Sequence, residues 1–343
     1  MKILAVGDSY MPVSYFQRGF QKLESRHEVS YVQADEESPF EPETASELRL
    51  TEFLGSPRTL AEHMAGVEVL AVHGAPVTAE VIEAGQDLAL VCCARGGPVN
   101  VDLQALHPRQ LTLVNTPGKN AEAVADLTLA FLIMLARGLP TGILFLQEGN
   151  RVRDNWEGAR FMGLDLRGHA LGLVGFGQVG QRVAARARAF GMRVVVYDPH
   201  VDAADVEQCD SLEDLLAESD FVSLHARATS ANTHLIDADV LQALRPGRFL
   251  INTARETLID EDALDAALET GHLAGAALDV FEPAPDGERS RLLRHPNVVL
   301  TPHLGGATVE TLLQGARMLG AEIARFAAGQ PLQYAVNGID PGR

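Results

Sequence analysis

The tightest constraint on this chain is a glycine spacing with regular structure on both sides of it. An apolar run, Ala170–Val174, leads directly into Gly175-Phe176-Gly177-Gln178-Val179-Gly180, and residues 182–190 then favour a helix. Each glycine has a mechanical reason. Gly175 permits a tight turn, Gly177 lets another group come close to the backbone, and Gly180 lets helix and strand pack closely. A helix N-terminus at this point offers free N–H groups and the positive end of its dipole to a phosphate. The next apolar run ends in Tyr197-Asp198-Pro199. The Asp198 carboxylate can accept from both ribose hydroxyls of an adenosine and would repel a 2′-phosphate. No Arg or Lys follows immediately to neutralise such a phosphate, so the reading is NAD rather than NADP. Glycine-rich turns are common. The strand before this one, the helix after it and the acid beyond make it a dinucleotide loop.

At 343 residues the chain suits two domains, each able to bury its own core. Strand-like segments at 2–6, 28–32, 67–72, 88–93 and 111–115 alternate with segments of helical period such as 14–23 and 57–65. A second series begins at Ala170, with strands at 170–174, 193–197, 221–224, 249–252, 275–279 and 298–300. Alternation of this kind predicts an α/β fold with two doubly wound parallel-sheet domains, the second a Rossmann domain. The boundaries predicted are 1–118 plus 309–343 for a flavodoxin-like substrate-binding domain and 119–308 for the NAD-binding domain. The helical stretch 308–326 is read as returning to the first domain.

Charge and cysteines exclude several classes. A net charge of −18 argues against nucleic acid or an anionic membrane as partner. It also means that an anionic substrate must be captured by particular arginines against an unfavourable field. No apolar run reaches the ~18 residues needed to cross a bilayer. Cys92, Cys93 and Cys209 form neither a disulfide framework nor metal-ligand spacing, so no metal is expected and a cytoplasmic location is. The apolar N-terminus breaks into Gly7-Asp8-Ser9 without a small-residue cleavage site, and is read as a first strand.

Three later motifs each end a predicted strand, where ligands bind in open α/β sheets. They are Asn252-Thr253-Ala254-Arg255, Asp279-Val280-Phe281-Glu282-Pro283-Ala284-Pro285, and Thr301-Pro302-His303-Leu304-Gly305-Gly306. With Arg95-Gly96-Gly97-Pro98-Val99-Asn100-Val101-Asp102 and the run from Asn115 to Asp126, they resemble the D-isomer-specific 2-hydroxyacid dehydrogenases, the family of phosphoglycerate dehydrogenase and glyoxylate/hydroxypyruvate reductase. The resemblance covers nearly the whole chain and is strongest from about residue 90 to 310. It implies an NAD-dependent oxidoreductase moving a hydride between nicotinamide and C2 of a D-2-hydroxy or 2-keto acid.

By position, Arg255 resembles the arginine that clamps the substrate carboxylate, where a planar fork gives two parallel hydrogen bonds. His303 resembles the general acid/base, a task suited to a group that titrates near neutrality. Cofactor contacts are implied for Gly175, Gly177, Gln178, Val179, Gly180, Asp198, Thr253, Ala254, Asp279, Gly305 and Gly306. Substrate contacts are implied for Gly96, Gly97 and Arg255, and the loops Val72-His73-Gly74-Ala75-Pro76 and Ala94-Arg95-Gly96-Gly97 of the first domain are candidates for the outer wall of the pocket. Arg95 is a candidate for a second polar or anionic group of the substrate, or else is paired with a nearby acid. A phosphoglycerate-like or hydroxypyruvate-like tail follows from that candidate.

The chain also departs from the family pattern. Where the family usually places the glutamate that pairs with the histidine, this chain has Ala284. Glu282 lies two residues earlier on the same side of an extended segment, but the flanking Pro283 and Pro285 argue against it as a substitute. Glu256-Thr257 replaces the small residues usual after the arginine, and His225-Ala226-Arg227-Ala228-Thr229 replaces a His-Leu-Pro-Leu-Thr-like run. These changes leave open two alternatives, an enzyme of the same fold adapted to an unusual substrate and, behind it, an NAD(H)-sensing regulatory protein of the same fold with weak or lost catalysis. The apolar stretch Ala121–Ala136 is expected to be buried between domains or on a second copy. Family resemblance favours a homodimer built around it.

Overall fold

The computed structural model describes residues 1–34, 41–152, 156–201, 205–284 and 289–336. The chain divides into two compact units, Met1–Lys119 with Thr308–Arg343, and Asn120–Ala307.

The first unit opens with β1 (Lys2–Gly7), α1 (Val13–Glu24), β2 (Glu28–Gln33), α2 (Pro57–Glu62), β3 (Val69–Val72), α3 (Ala79–Ala84), β4 (Leu90–Cys93), α4 (Leu103–Leu106) and β5 (Thr112–Val114). The second unit holds α5 (Ala121–Ala136), α6 (Leu139–Gln147), β6 (Ala170–Val174), α7 (Gln178–Ala189), β7 (Arg193–Tyr197), β8 (Glu207–Gln208), α8 (Leu212–Glu218), β9 (Phe221–Leu224), α9 (Ala238–Ala243), β10 (Arg248–Asn252), α10 (Glu261–Glu269), β11 (Leu273–Leu278) and β12 (Val298–Leu300). The last helix, α11 (Val309–Ala327), belongs to the first unit.

The first unit's sheet is parallel with strand order β2-β1-β3-β4-β5. Apart from the edge strand β2, its strands are near-continuous apolar runs because helices cover both faces. Ile3, Ala5, Val69, Ala71, Leu90 and Cys92 face α1 and α11, while Leu4, Val6, Leu70, Val72, Val91 and Cys93 face the other layer. The adjacent cysteines therefore point to opposite sides, and both are free thiols. On α1, Phe16, Phe20 and Leu23 recur at helical spacing on the buried side. This helix crosses α11 through Gly19 and Gly320, where a Cβ on Gly19 would lie 2.6 Å from that of Ala316.

The second unit's sheet is parallel with order β12-β11-β10-β9-β6-β7-β8. Counted from β6, this is the doubly wound order of a dinucleotide-binding sheet. One face packs on α5 and α7 through Leu171, Leu173, Val194, Val196, Phe221 and Ile251. The other packs on α8, α9 and α10 through Val195, Val222, Leu250, Ala276 and Leu278. The short β8 was not expected from the sequence, since two exposed residues leave no periodicity to read.

The structure places Ala121–Ala136 partly in the core of its own unit. The helix buries Val124, Leu129, Phe131, Leu132 and Leu135 in the core of its own unit. Its exposed side carries Glu122 and Asp126, which pair with Arg182 and Arg186 of α7. Leu127, Ile133 and Met134 are only partly buried and Ala130 is exposed. Larger exposed apolar residues lie further on: no residue of α6 is buried, and Val152, Trp156 and Met162 are 63%, 82% and 83% exposed. Among the described residues, no single helix is long and apolar enough to cross a membrane.

Candidate active site

The glycine-rich turn joins β6 to α7. Gly175 has φ +96°, and a Cβ there would lie 2.6 Å from the amide nitrogen of Ala226 at the end of β9. Gly180, in the first turn of α7, would place a Cβ 2.4 Å from the carbonyl oxygen of Gly175. Gly177 differs, because no protein atom lies within 4 Å of its would-be Cβ. Among the described residues it therefore leaves open space at the turn, where a phosphate group fits. Gln178 and Val179 follow as the first residues of α7, with helical N–H groups at the same edge.

Asp198 ends β7. One carboxylate oxygen accepts from the Phe176 amide at 2.7 Å and the other from the His200 amide at 2.9 Å. Each oxygen keeps a lone pair for a further donor, as a vicinal diol requires. The open cradle at Gly177, the helix N-terminus and this carboxylate fit the pyrophosphate and adenosine ribose of NAD.

On the β9 side, the imidazole of half-buried His225 bonds the buried hydroxyl of Ser223 through Nε2 at 3.0 Å. Burial pushes its pKa down to about 3. It therefore adds no positive charge beside the phosphate loop, and the cation in this run is the exposed Arg227.

The three remaining motifs leave neighbouring strands β10, β11 and β12 at the same edge. The Asn252 carbonyl accepts from the Asp279 amide at 2.9 Å, and the Asp279 carbonyl accepts from the His303 amide at 3.0 Å, so the strand ends are cross-linked. Asn252, fully buried, also shapes its own turn. Its side-chain Oδ1 accepts from the Ala254 amide and its Nδ2 donates to the Arg255 carbonyl. Arg255 is exposed beyond that turn, and Nη1 donates to the Ala254 carbonyl at 2.6 Å. Thr253 is buried, its hydroxyl 3.3 Å from that of Thr128.

Asp279 is 2% exposed and organises the histidine loop. Its Oδ1 accepts from the Thr301 hydroxyl at 2.6 Å and the Leu304 amide at 2.7 Å, and its Oδ2 accepts from the Gly305 amide at 2.7 Å. A Cβ on Gly305 would stand 2.8 Å from that Oδ2, and one on Gly306 would press on the Asn120 amide at 3.2 Å. Within this loop His303 takes φ +56°, an uncommon conformation for a residue with a Cβ, and its imidazole is exposed. Among the described residues, no carboxylate bonds that ring. Ala284 presents a methyl group, and exposed Glu282 is tied by its amide to the carboxylate of Glu261. Burial pushes the Glu261 pKa up, partly countered by that amide. Pro285 lies outside the described residues.

In the first unit, Gly96 and Gly97 are exposed, with no protein atom near either would-be Cβ. Arg95 is engaged: its guanidinium donates to the Glu52 carbonyl at 2.7 Å and pairs with the Glu52 carboxylate. Glu52 itself has φ +51°. Close by, the Lys119 ammonium donates to the Ala94 carbonyl at 2.6 Å, and burial pushes its pKa down to about 8.

Sequence reasoning singled out the Val72–Pro76 loop and the Asn252 motif but missed Glu261, the bonding role of Asn252 and the pairing of His73 with Asp8, whose side chains meet at 2.8 Å after β1 and β3. Asn252 and Asp8 had a signal, since each is a polar residue closing an apolar run. Glu261 had none beyond a helix N-terminus.

A dinucleotide cradle beside strand ends bearing an arginine and a histidine defines an NAD-dependent oxidoreductase acting on a CH–OH group. Comparisons agree. The model of the D-isomer specific 2-hydroxyacid dehydrogenase NAD-binding domain matches residues 129–305. A hydroxypyruvate reductase of Thermotoga maritima is 40% identical over 262 residues, 75% of this chain and 82% of that one. A D-3-phosphoglycerate dehydrogenase of Methanocaldococcus jannaschii is 34% identical over 284 residues, 81% of this chain but 53% of that one, so the match spans about half of the longer protein. A solved protein of Thermus thermophilus is 34% identical, with a TM-score of 0.76 over 98% of this chain and 100% of that one. The chain belongs to the D-isomer-specific 2-hydroxyacid dehydrogenase family, its cofactor is NAD, and the catalytic reading stands over the regulatory one.

Two outcomes are expected. Gly177→Ala leaves the thermal midpoint of the free protein unchanged but weakens NADH binding about tenfold or more in a fluorescence titration, because the added methyl meets only cofactor. Gly180→Ala instead costs about 1–3 kcal/mol of stability through overpacking. Separately, His225 stays neutral in the folded chain while an unfolded histidine protonates near 6.5. Its contribution is intact above about pH 6.5 and is lost as pH falls toward 3. Urea midpoints from pH 7 to 4 should fall less steeply in His225→Gln, by at most about 1.4 kcal/mol per pH unit.

Proposed function

We propose that the chain interconverts a short 2-keto acid with a polar tail, of the hydroxypyruvate type, and the corresponding D-2-hydroxy acid. The observation that carries this reading is the Asp279-bonded loop, which holds His303 in a left-handed conformation at the edge where β10 presents Arg255. The relationship to a hydroxypyruvate reductase supports the substrate class. The Arg95–Glu52 pair counts against a phosphorylated tail, since the guanidinium already has an anion.

Bound NADH supplies the hydride that C2 receives. Arg255 fixes the substrate carboxylate, and its charge draws electron density from the adjacent carbonyl. The His303 imidazolium gives its proton to the carbonyl oxygen as C2 becomes tetrahedral, and in oxidation the neutral ring removes it. Asp279 acts through the loop rather than on the substrate. Gly175, Gly177, Gln178, Val179 and Gly180 hold the pyrophosphate, Asp198 the ribose, and Thr253, Ala254, Gly305 and Gly306 the nicotinamide end. Gly96 and Gly97 offer amides to the acid. Free thiols at Cys92, Cys93 and Cys209 support a cytoplasmic setting.

A homodimer formed through the exposed apolar residues of α6 and the segment to Met162 completes the reading. Leu139, Ile143, Leu144, Leu146, Val152, Trp156 and Met162 all leave apolar side chains exposed, and exposed apolar surface of this kind marks an interaction site where it is contiguous.

With hydroxypyruvate and NADH, His303→Ala should lower kcat by about 10²–10⁴-fold with NADH affinity retained. Arg255→Lys should raise KM, because an ammonium cannot reproduce the two-pronged bond. Unchanged kcat in His303→Ala removes the assignment. Trp156→Glu with Met162→Glu should halve the mass seen by light scattering, whereas Ile133→Ala, inside the unit, should not.

A further inference from the structure

The first unit holds a buried cation that the chemistry above does not use. The chain has three lysines, Lys2, Lys22 and Lys119, and the ammonium of the last is buried. Lys119 lies just past β5 and donates to the Ala94 carbonyl at 2.6 Å. Its stem runs beside α11 at Gly315, where a Cβ would stand 3.0 Å from Cδ and 3.6 Å from Nζ. The absence of a side chain at Gly315 is what leaves room for the lysine.

The bond to Ala94 is one of three that tie the loop after β4 to the segment after β5. The Arg95 carbonyl accepts from the Thr116 amide at 3.0 Å, and the Gly96 carbonyl accepts from Asn115 Nδ2 at 2.7 Å. In a trans peptide the carbonyl and the following N–H point opposite ways. Drawing these carbonyls toward residues 115–119 therefore turns the Gly96 and Gly97 amides away from that segment. Among the described residues neither amide has a hydrogen-bond partner. Consecutive free amides make a concavity for an anion, and these two are the pair assigned above to the substrate acid. All of these groups belong to the first unit.

An ammonium on the carbonyl side of such a loop polarises its peptides and strengthens the donors on the other side. Its charge also offsets, at this point, the field of a chain with net charge −18. The position is costly for a cation. Burial pushes the Lys119 pKa down to about 8; Cys93 and Asp8 oppose the shift and Arg95 adds to it. Of these neighbours, the Cys93 thiol is pushed by burial up to about 12 and stays neutral. Arg95 is paired with Glu52. Burial would raise the Asp8 carboxyl, but the bond and charge of His73 outweigh it and hold it below the usual range. On the side of α11 that carries Gly315 stands Glu322, about two turns on and bonded to the Gln333 and Tyr334 amides. Lys119 itself loses its charge as pH rises through about 8.

We propose that Lys119 is a positioning residue for the substrate acid, fixing the 94–97 loop and supplying the positive charge behind the Gly96 and Gly97 amides that hold the carboxylate. This role rests on the dehydrogenase reading above and adds to it a residue and a pH dependence of acid binding.

The test is KM for hydroxypyruvate at saturating NADH from pH 6.5 to 9.5, in the wild type, Lys119→Met and Lys119→Arg. The keto acid is ionised throughout, and kcat, NADH affinity and thermal midpoints are measured alongside. Wild-type KM should rise about fivefold as Lys119 loses its proton. Lys119→Met should start about fivefold above the wild type at pH 6.5, and the ratio of the two should shrink toward one above pH 9. Taking the ratio removes the pH dependence that His303 gives to both proteins, and the change should fall on KM rather than kcat. Lys119→Arg keeps its charge and should hold KM low to pH 9.5. A packing role alone gives a Lys119→Met ratio that does not vary with pH. That result, a wild-type KM level across the range, or a KM in Lys119→Arg that rises as in the wild type overturns the proposal. If one variant does not fold, the other decides. Wild-type protein that binds NADH yet reduces neither hydroxypyruvate nor glyoxylate at any pH defeats the dehydrogenase reading instead.

Discussion

A parallel strand covered on both faces can present polar chemistry only at its ends, and this constraint organises the whole molecule. In both sheets the strand interiors are apolar on each side, with Ile3 to Val6 and Leu171 to Val174 as examples. The polar residues of interest then come within a few positions of a carboxyl end: Asp8, His73, Asp198, His225, Asn252, Asp279 and His303. Several of them are buried and fully bonded. Their task is to shape the next turn, so that an exposed neighbour stands where the fold needs it.

Asp279 shows how this works. A buried carboxylate is costly unless it is paired or well hydrogen-bonded, and here one hydroxyl and two amides of the 301–305 loop satisfy it. Those bonds hold His303 in a backbone conformation that a free chain rarely adopts. Asn252 does the same for the turn bearing Arg255. The reactive side chains are exposed and the rigidity lies in the buried residues bonded to their loops, an arrangement that orders a site without burying its charges.

The fold was legible because period and length carry it. Apolar runs of strand length alternate with helical segments, and the glycine turn fixes which sheet holds the dinucleotide. The roles of Gly175 and Gly180 could be read from sequence because close backbone contact excludes any side chain. Other features were not legible. Ala121–Ala136 is apolar enough to suggest a partner, but composition cannot tell a core helix from an interface, and its charged residues find arginines distant in sequence. The pairing of Asp8 with His73 joins residues that only the sheet order brings together. Arg95 could be read as substrate-binding or as ion-paired, and the choice turned on Glu52, far along the chain. At the position read as a missing carboxylate Ala284 presents only a methyl group, and among the described residues no carboxylate bonds the His303 ring.

The central claim is that this chain moves a hydride between nicotinamide and C2 of a 2-hydroxy acid. The most direct measurement is isotopic: NADH deuterated at the transferable C4 position, a 2-keto acid such as hydroxypyruvate, and analysis of the product by NMR and chiral chromatography. The account predicts a D-2-hydroxy acid carrying deuterium at C2. Tight binding of NADH with no deuterium in any product, or deuterium in an L product, would contradict it.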